Sequence, residues 1–236
     1  MVQKTAKPDH ATAATGKRPR GRPRNYDPQL ALRRALETFW TYGYSRTSLD
    51  DLSAAMGMNR PSLYAAFGDK QALYLKALES YWDQALEGMR DLLAHDEPLP
   101  DALMRVYESA LSLYFPSTGA PRGCFGISTA AVESVVEPRI RAVFENGLRR
   151  IDKEFERRIA LSIERAELPA NTDPRTLAEI ASATLHTMAI RSRYGASRKE
   201  LRGLAQRTVT QMLLACSTKS TVAARNDKQR RGGVAC

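Results

Sequence analysis

The chain is poor in cysteine and histidine and has no long apolar run. Its three cysteines, Cys124, Cys216 and Cys236, show no paired spacing. That argues against a disulfide framework and fits a reducing cytosol. His10, His95 and His186 are scattered, with no metal-ligand spacing among them and the cysteines, so neither a zinc site nor another metal is expected. No run of eighteen apolar residues occurs, so no membrane-spanning helix is expected. The first residues are polar and basic and lack the apolar segment of a secretory signal. Also absent are a Gly-rich strand-to-helix loop, a serine elbow and a conspicuous carboxylate pair. An enzyme is therefore not expected, and no cofactor is implied.

What the chain does have is positive charge, and it is unevenly placed. Over 236 residues the net charge is +10, with 43% hydrophobic residues, enough for an ordinary core. Residues 1–25 hold seven cations against Asp9, and residues 216–236 hold five against Asp227, which leaves the body between them neutral. Two basic tails on a neutral body point to a polyanionic partner, although basic tails also serve solubility. Both tails lack apolar periodicity and are expected to be disordered. Within the first lies Lys17-Arg18-Pro19-Arg20-Gly21-Arg22-Pro23-Arg24, which resembles an AT-hook. Proline keeps such a segment extended, and glycine allows close approach to a groove floor. Arg20, Arg22 and Arg24 then suit the negative potential of a narrow minor groove.

After the arm the pattern becomes helical. Asp27-Pro28 is a cap followed by a first-turn proline, and an apolar stripe through Leu32, Ala35, Leu36, Phe39 and Trp40 runs to Gly43. Thr47 is the expected cap of a second helix, with Asp50 three residues on. Leu49, Leu52 and Met56 share a face there, and Gly57 supplies a left-handed turn. Asn59 caps a third helix that begins with Arg60, Pro61 and Ser62 and buries Leu63, Ala66 and Phe67. A short helix, a glycine turn and a polar-fronted second helix describe a helix-turn-helix, whose second helix enters a DNA major groove. Arg60 suits a bidentate contact to guanine, Asn59 a contact to adenine, and Pro61 a thymine methyl. Asp50 and Asp51 suit the positive end of a helix but would repel phosphates. Residues 27–70 are neutral overall, so base reading rests on few groups.

The string Phe39, Tyr42-Gly43-Tyr44, Thr47-Ser48-Leu49, Leu52, Met56-Gly57-Met58, Leu63-Tyr64, Phe67, Lys70 and Leu73 resembles the DNA-binding domain of the tetracycline-repressor (TetR) family. The resemblance covers about the first third of the chain. It implies that Thr47, Ser48 and Tyr64 contact phosphates, and that Lys70 meets a phosphate at the start of the next helix. A capping role alone remains open for Ser48, and core packing for Tyr64.

Helical patterns continue from Asp69 to about Ala94, from Asp101 to Phe115, from Pro138 to about Leu168, from Pro174 to about 193, and from Arg198 to about 215. The expected architecture is all-α. A disordered arm at 1–25 precedes a helix-turn-helix domain at 26–70, a helical body at 71–215 and a disordered tail at 216–236. The resemblance implies that the body receives a small-molecule effector and dimerises through its last two helices, and that double-stranded operator DNA is the partner. It implies a cytoplasmic, nucleoid-associated homodimer in which an effector releases a repressor, with activation left open. An architectural DNA-binding protein driven by its arms is the alternative. Candidate pocket residues are Trp82, Tyr107, Phe115, Cys124, Phe125, His186 and Met188, although stripes of this kind also form ordinary core. At Cys124, a helix start and the nearby Arg122 would lower a thiol pKa and favour a redox or electrophile sensor. A small buried hydrophobe is the other reading of the same residue.

Overall fold

Capping chemistry sets the helix starts. A computed structural model describes residues 26–232, with side chains as far as Cys216. The arm with Arg20, Arg22 and Arg24 lies outside the described residues. Asp27 Oδ1 accepts from Gln29 N at 2.9 Å to open α1 (Pro28–Tyr42), and Gly43 closes it with its N–H on Phe39 O. Helix α2 (Leu49–Met56) is capped by Ser48, one residue later than expected. Ser48 Oγ accepts from Asp51 N, and the Asp51 carboxylate accepts from Ser48 N at 2.8 Å. The Thr47 hydroxyl is buried and donates to Gly43 O at 2.6 Å, pointing back toward α1 rather than capping α2. Gly57, at φ 65°, makes the left-handed turn into α3 (Arg60–Phe67), where Asn59 Oδ1 accepts from Ser62 N.

The long α4 (Lys70–Leu93), capped by Asp69, carries this three-helix head into the body. The body adds α5 (Leu99–Tyr114), a π-helical turn at Gly126–Ala130 with its short continuation α6 (Ala131–Glu133), and α7 (Pro138–Glu164). It ends with α8 (Pro174–Arg193) and α9 (Arg198–Gly232). Among the described residues the fold is all-α, with no strand. Helix α9 runs on to Gly232, through the segment whose composition suggests a disordered tail. No proline interrupts the chain beyond Arg198, and between Gly203 and Gly232 there is no glycine, so nothing in the sequence stops the helix.

Two clusters fix the geometry that matters. Phe125, fully buried, lies at 5.5–5.7 Å from the rings of Trp40, Tyr74 and Tyr81, joining α1 and α4 to the π-turn. Trp82 is wedged between Gly126 and Gly147, where any Cβ would overlap the indole. Burial of such aromatic rings dominates core energetics, at roughly 2–3 kcal/mol each. Of the small residues on α8 and α9, Ala178, Ala181, Ala189 and Ala205 are buried within the subunit, whereas Ala183 is exposed.

Candidate nucleic-acid interface and body cavity

The head buries one side of each short helix and leaves the other open. Leu52, Met56, Met58, Leu63 and Phe67 close beneath α2 and α3. Ser48, Asn59, Arg60, Pro61, Ser62 and Tyr64 remain exposed, with Tyr64 at 48%. A rigid apolar underside with a polar upper face is what a groove-reading helix needs, because the scaffold fixes where those groups point. Thr47 is the exception among the candidates. Its side chain is 1% exposed and its hydroxyl is spent on Gly43 O, so that side chain is not presented to a phosphate.

Asn59 is exposed, but its carboxamide oxygen is already the cap of α3. A two-point contact to adenine uses both amide atoms, so that contact requires the cap to open. Arg60 is held in a two-point ion pair by Asp50, with Nε to Oδ1 at 2.8 Å and Nη2 to Oδ2 at 2.5 Å. That hydrogen-bonded carboxylate raises the guanidinium pKa. Asp50 therefore does not simply stabilise a helix start: it orients the cation that the sequence marks as a base reader. Asp51 is the carboxylate spent on capping, and the Ser48 hydrogen bonds lower its pKa. Lys70, half-buried, places Nζ 4.5 Å from the centre of the Tyr44 ring, and burial lowers its pKa.

Beyond the head lies a cavity of about 570 Å³ between α1, α4 and α5. Exposed Arg33, Glu37, Gln84 and Ser112 form its mouth, and buried Trp82, Met89, Val106, Ile151 and Leu185 its interior. That volume is in the range of small-molecule sites. Of the candidate pocket residues, only Trp82 and Cys124 line it. Tyr107 is fully buried and donates to Ala181 O, Phe125 is the junction ring, and Met188 is core. His186, whose burial lowers its pKa, sits one position past the cavity-lining Leu185 and turns away. Phe115 ends α5 without reaching the cavity.

The Cys124 thiol is buried and accepts from Tyr81 Oη at 3.1 Å. Burial pushes its pKa up, outweighing the hydrogen bonds from Tyr81 and from the Ile127 and Gly126 N–H groups. Of the two readings of this residue, burial favours the small buried hydrophobe over the activated thiolate. Arg122, the cation expected to activate it, is engaged elsewhere. Its guanidinium carbon lies 3.9 Å from the centre of the Trp40 ring, and Nη1 donates to Glu37 Oε2 at 2.5 Å. Neither that pair nor the Asp50–Arg60 pair is visible as a sequence motif, since the partners lie 85 and 10 residues apart. Among the described residues no helix is long and apolar enough to cross a membrane, and no group of three or more acidic, His or Cys side chains is placed to hold a metal.

Comparison with known proteins agrees with this geometry. The family profile "Bacterial regulatory proteins, tetR family" matches residues 31–77, and "Tetracyclin repressor-like, C-terminal domain" matches 100–208. The chain is 31% identical over 193 residues to the HTH-type transcriptional repressor ComR of Escherichia coli (strain K12), covering 82% of this chain and 92% of that one. It is 28% identical over 159 residues to an uncharacterized HTH-type regulator, YezE, of Bacillus subtilis (strain 168), covering 67% and 81%. Among solved structures, a cysteine-substituted TetR-family regulator CifR in complex with 26-bp double-strand operator DNA superposes with TM-score 0.70 at 28% identity, covering 80% and 98%. A cap-defined helix-turn-helix head on an all-helical body, matched at both ends by family profiles, places this chain in the TetR family of DNA-binding transcriptional regulators.

Proposed function

We propose that the chain is a cytoplasmic, homodimeric repressor that reads a palindromic operator and releases it when an effector occupies the body cavity. The observation that carries this reading is the exposed face of α3, presented on a buried scaffold, with Arg60 pre-oriented by Asp50. Arg60 and Ser62 supply base-edge contacts, with Pro61 as an apolar edge. Asn59 reads a base edge if its cap opens. Ser48, Tyr64, Lys70 and the Thr47 backbone supply phosphate contacts that set the register. Repression follows the named function of ComR, and operator binding that of CifR. Arg20, Arg22 and Arg24 add minor-groove contacts from the arm.

Dimerisation is supported by α8. Thr176, Ile180, Ala183, Thr187, Ile190 and Tyr194 recur at alternating steps of four and three, and all are exposed or half-exposed, Tyr194 at 86%. An outward stripe of this spacing suits a two-fold helix-on-helix interface. Two heads would then sit about one DNA turn, roughly 34 Å, apart. Phe125 against Trp40 and the Ser45–Glu133 hydrogen bond tie the head to the body, so a ligand that favours one arrangement of the two shifts operator affinity.

Fluorescence anisotropy on DNA from upstream of the protein's own gene tests the base-reading role. Arg60→Ala should weaken binding to the cognate site roughly tenfold to a hundredfold and leave binding to random DNA far less affected. Equal loss on both would remove Arg60 from base reading.

A further inference from the structure

Charge and apolar surface are segregated in the body cavity. Its interior is walled by Trp82, Met89, Val106, Ile151 and Leu185 with the neutral phenols of Tyr81 and Tyr114, and it offers no charged side chain. The charges stand at the rim, where Arg33 and Arg122 outnumber Glu37. An ionised ligand group placed inside would be desolvated without a partner, so any ligand charge belongs at the rim. There the excess is cationic.

Arg122 is the rim group built to receive an anion. Its backbone N–H donates to Tyr114 O at 3.0 Å, and its carbonyl accepts from Ser128 Oγ at 3.1 Å, which fixes the chain at that point. Its guanidinium lies over the Trp40 ring, with its side chain 26% exposed. The carboxylate it holds, Glu37, is 56% exposed and belongs to α1 of the head. A half-exposed ion pair of this kind is weak and readily exchanged. Glu37 takes one guanidinium nitrogen, whereas a free carboxylate can bridge two.

We propose that the cavity takes an apolar molecule carrying a carboxylate, and that this carboxylate binds Arg122 in place of Glu37. The apolar part fills the space down to Trp82, Ile151 and Leu185. Displaced Glu37 frees α1 from its ionic tether to the 116–124 loop, so ligand and head compete for one cation. This rests on the effector-responsive reading above and adds to it the chemical class of the effector and the contact it breaks. Competition for a shared group is a differential interaction of the kind that shifts a two-state equilibrium.

The chain's two tryptophans, Trp40 and Trp82, both line the cavity, so intrinsic emission reports its occupancy. Full-length protein is titrated with 1-naphthylacetate and decanoate, and with the matched amide of each. The carboxylates should bind about tenfold tighter than the amides, since a charge-assisted bond is about twice as strong as a neutral one. Arg122→Met should abolish that preference while leaving amide binding in place. Glu37→Gln, at an exposed position, removes the competitor and should tighten carboxylate binding several-fold without changing the amides. Equal affinity of acids and amides overturns the proposal, as does preference that survives Arg122→Met, or no binding by either series. Operator release driven equally by the amides would keep the effector-responsive reading while refuting this ligand class.

Discussion

Replacing Gly147 by alanine sets two effects against each other. On helix propensity alone, alanine in the middle of α7 should stabilise by about 1 kcal/mol. The site opposes this. A Cβ at 147 would lie 2.5 Å from Trp82 Nε1, whereas heavy atoms in contact are about 3.5–4.0 Å apart. Relief needs roughly 1 Å of movement. The ring cannot swing away, because Gly126 abuts its other edge and a Cβ there would be 2.5 Å from Trp82 Cζ2. Overpacking of a close-packed core costs about 1–3 kcal/mol, so overlap outweighs propensity. An overlap this deep belongs in the upper half of that range, so the net loss should be about 1–2 kcal/mol, a drop in Tm of roughly 2–8 °C for a chain this size. Thermal unfolding followed by circular dichroism and by tryptophan emission reads both stability and the ring's environment. In a Trp82→Phe background the same change should be much less harmful, a coupling that a double-mutant cycle exposes. An unchanged or raised Tm for Gly147→Ala would refute the wedge.

Three further outcomes are expected. Asp50→Asn keeps the shape but loses the charge that holds Arg60, so discrimination between cognate and altered operators should fall, while non-specific binding strengthens as one phosphate-repelling carboxylate disappears; unchanged discrimination in competition binding would show that Asp50 does not orient Arg60. Because burial raises the Cys124 pKa, the folded thiol keeps its proton at neutral pH. Its contribution to stability is present below the ordinary thiol value of about 8.5 and lost as pH rises through the folded one. Iodoacetamide should modify it slowly at pH 7 and quickly only on unfolding, and rapid labelling of native protein, read by mass spectrometry, would contradict this. Removing residues 1–25 should flatten the salt dependence of DNA binding by roughly 0.9 in log–log slope for each phosphate that the arm neutralises; an identical slope would exclude the arm from the interface.

Local chemistry was legible in the sequence, and long-range pairing was not. Asp27 and Asn59 cap helices as their spacing implies, because a cap needs only a partner two or three residues on. The slip from Thr47 to Ser48 arose where two hydroxyls adjoin. Only the fold reveals that Gly43 O claims the first. The body's helices were readable from apolar period, but the period does not say which neighbour each face meets. Leu185 reaches the cavity while His186, one helical step on, does not. Burial of Cys124, which separates its two readings, depends on α4 and the π-turn closing over it. Composition alone does not separate disorder from helix in the last segment, because a polar, basic stretch without breakers is compatible with both.

Footprinting on DNA upstream of the protein's own gene, with the full-length chain and with a chain lacking residues 1–25, tests the central claim most directly. The account predicts a protected palindrome with both proteins, its half-sites one helical turn apart, and weaker protection without the arm. Protection that requires the arm and shows no symmetry would contradict it, and would make this an architectural DNA-binding protein driven by its basic segments.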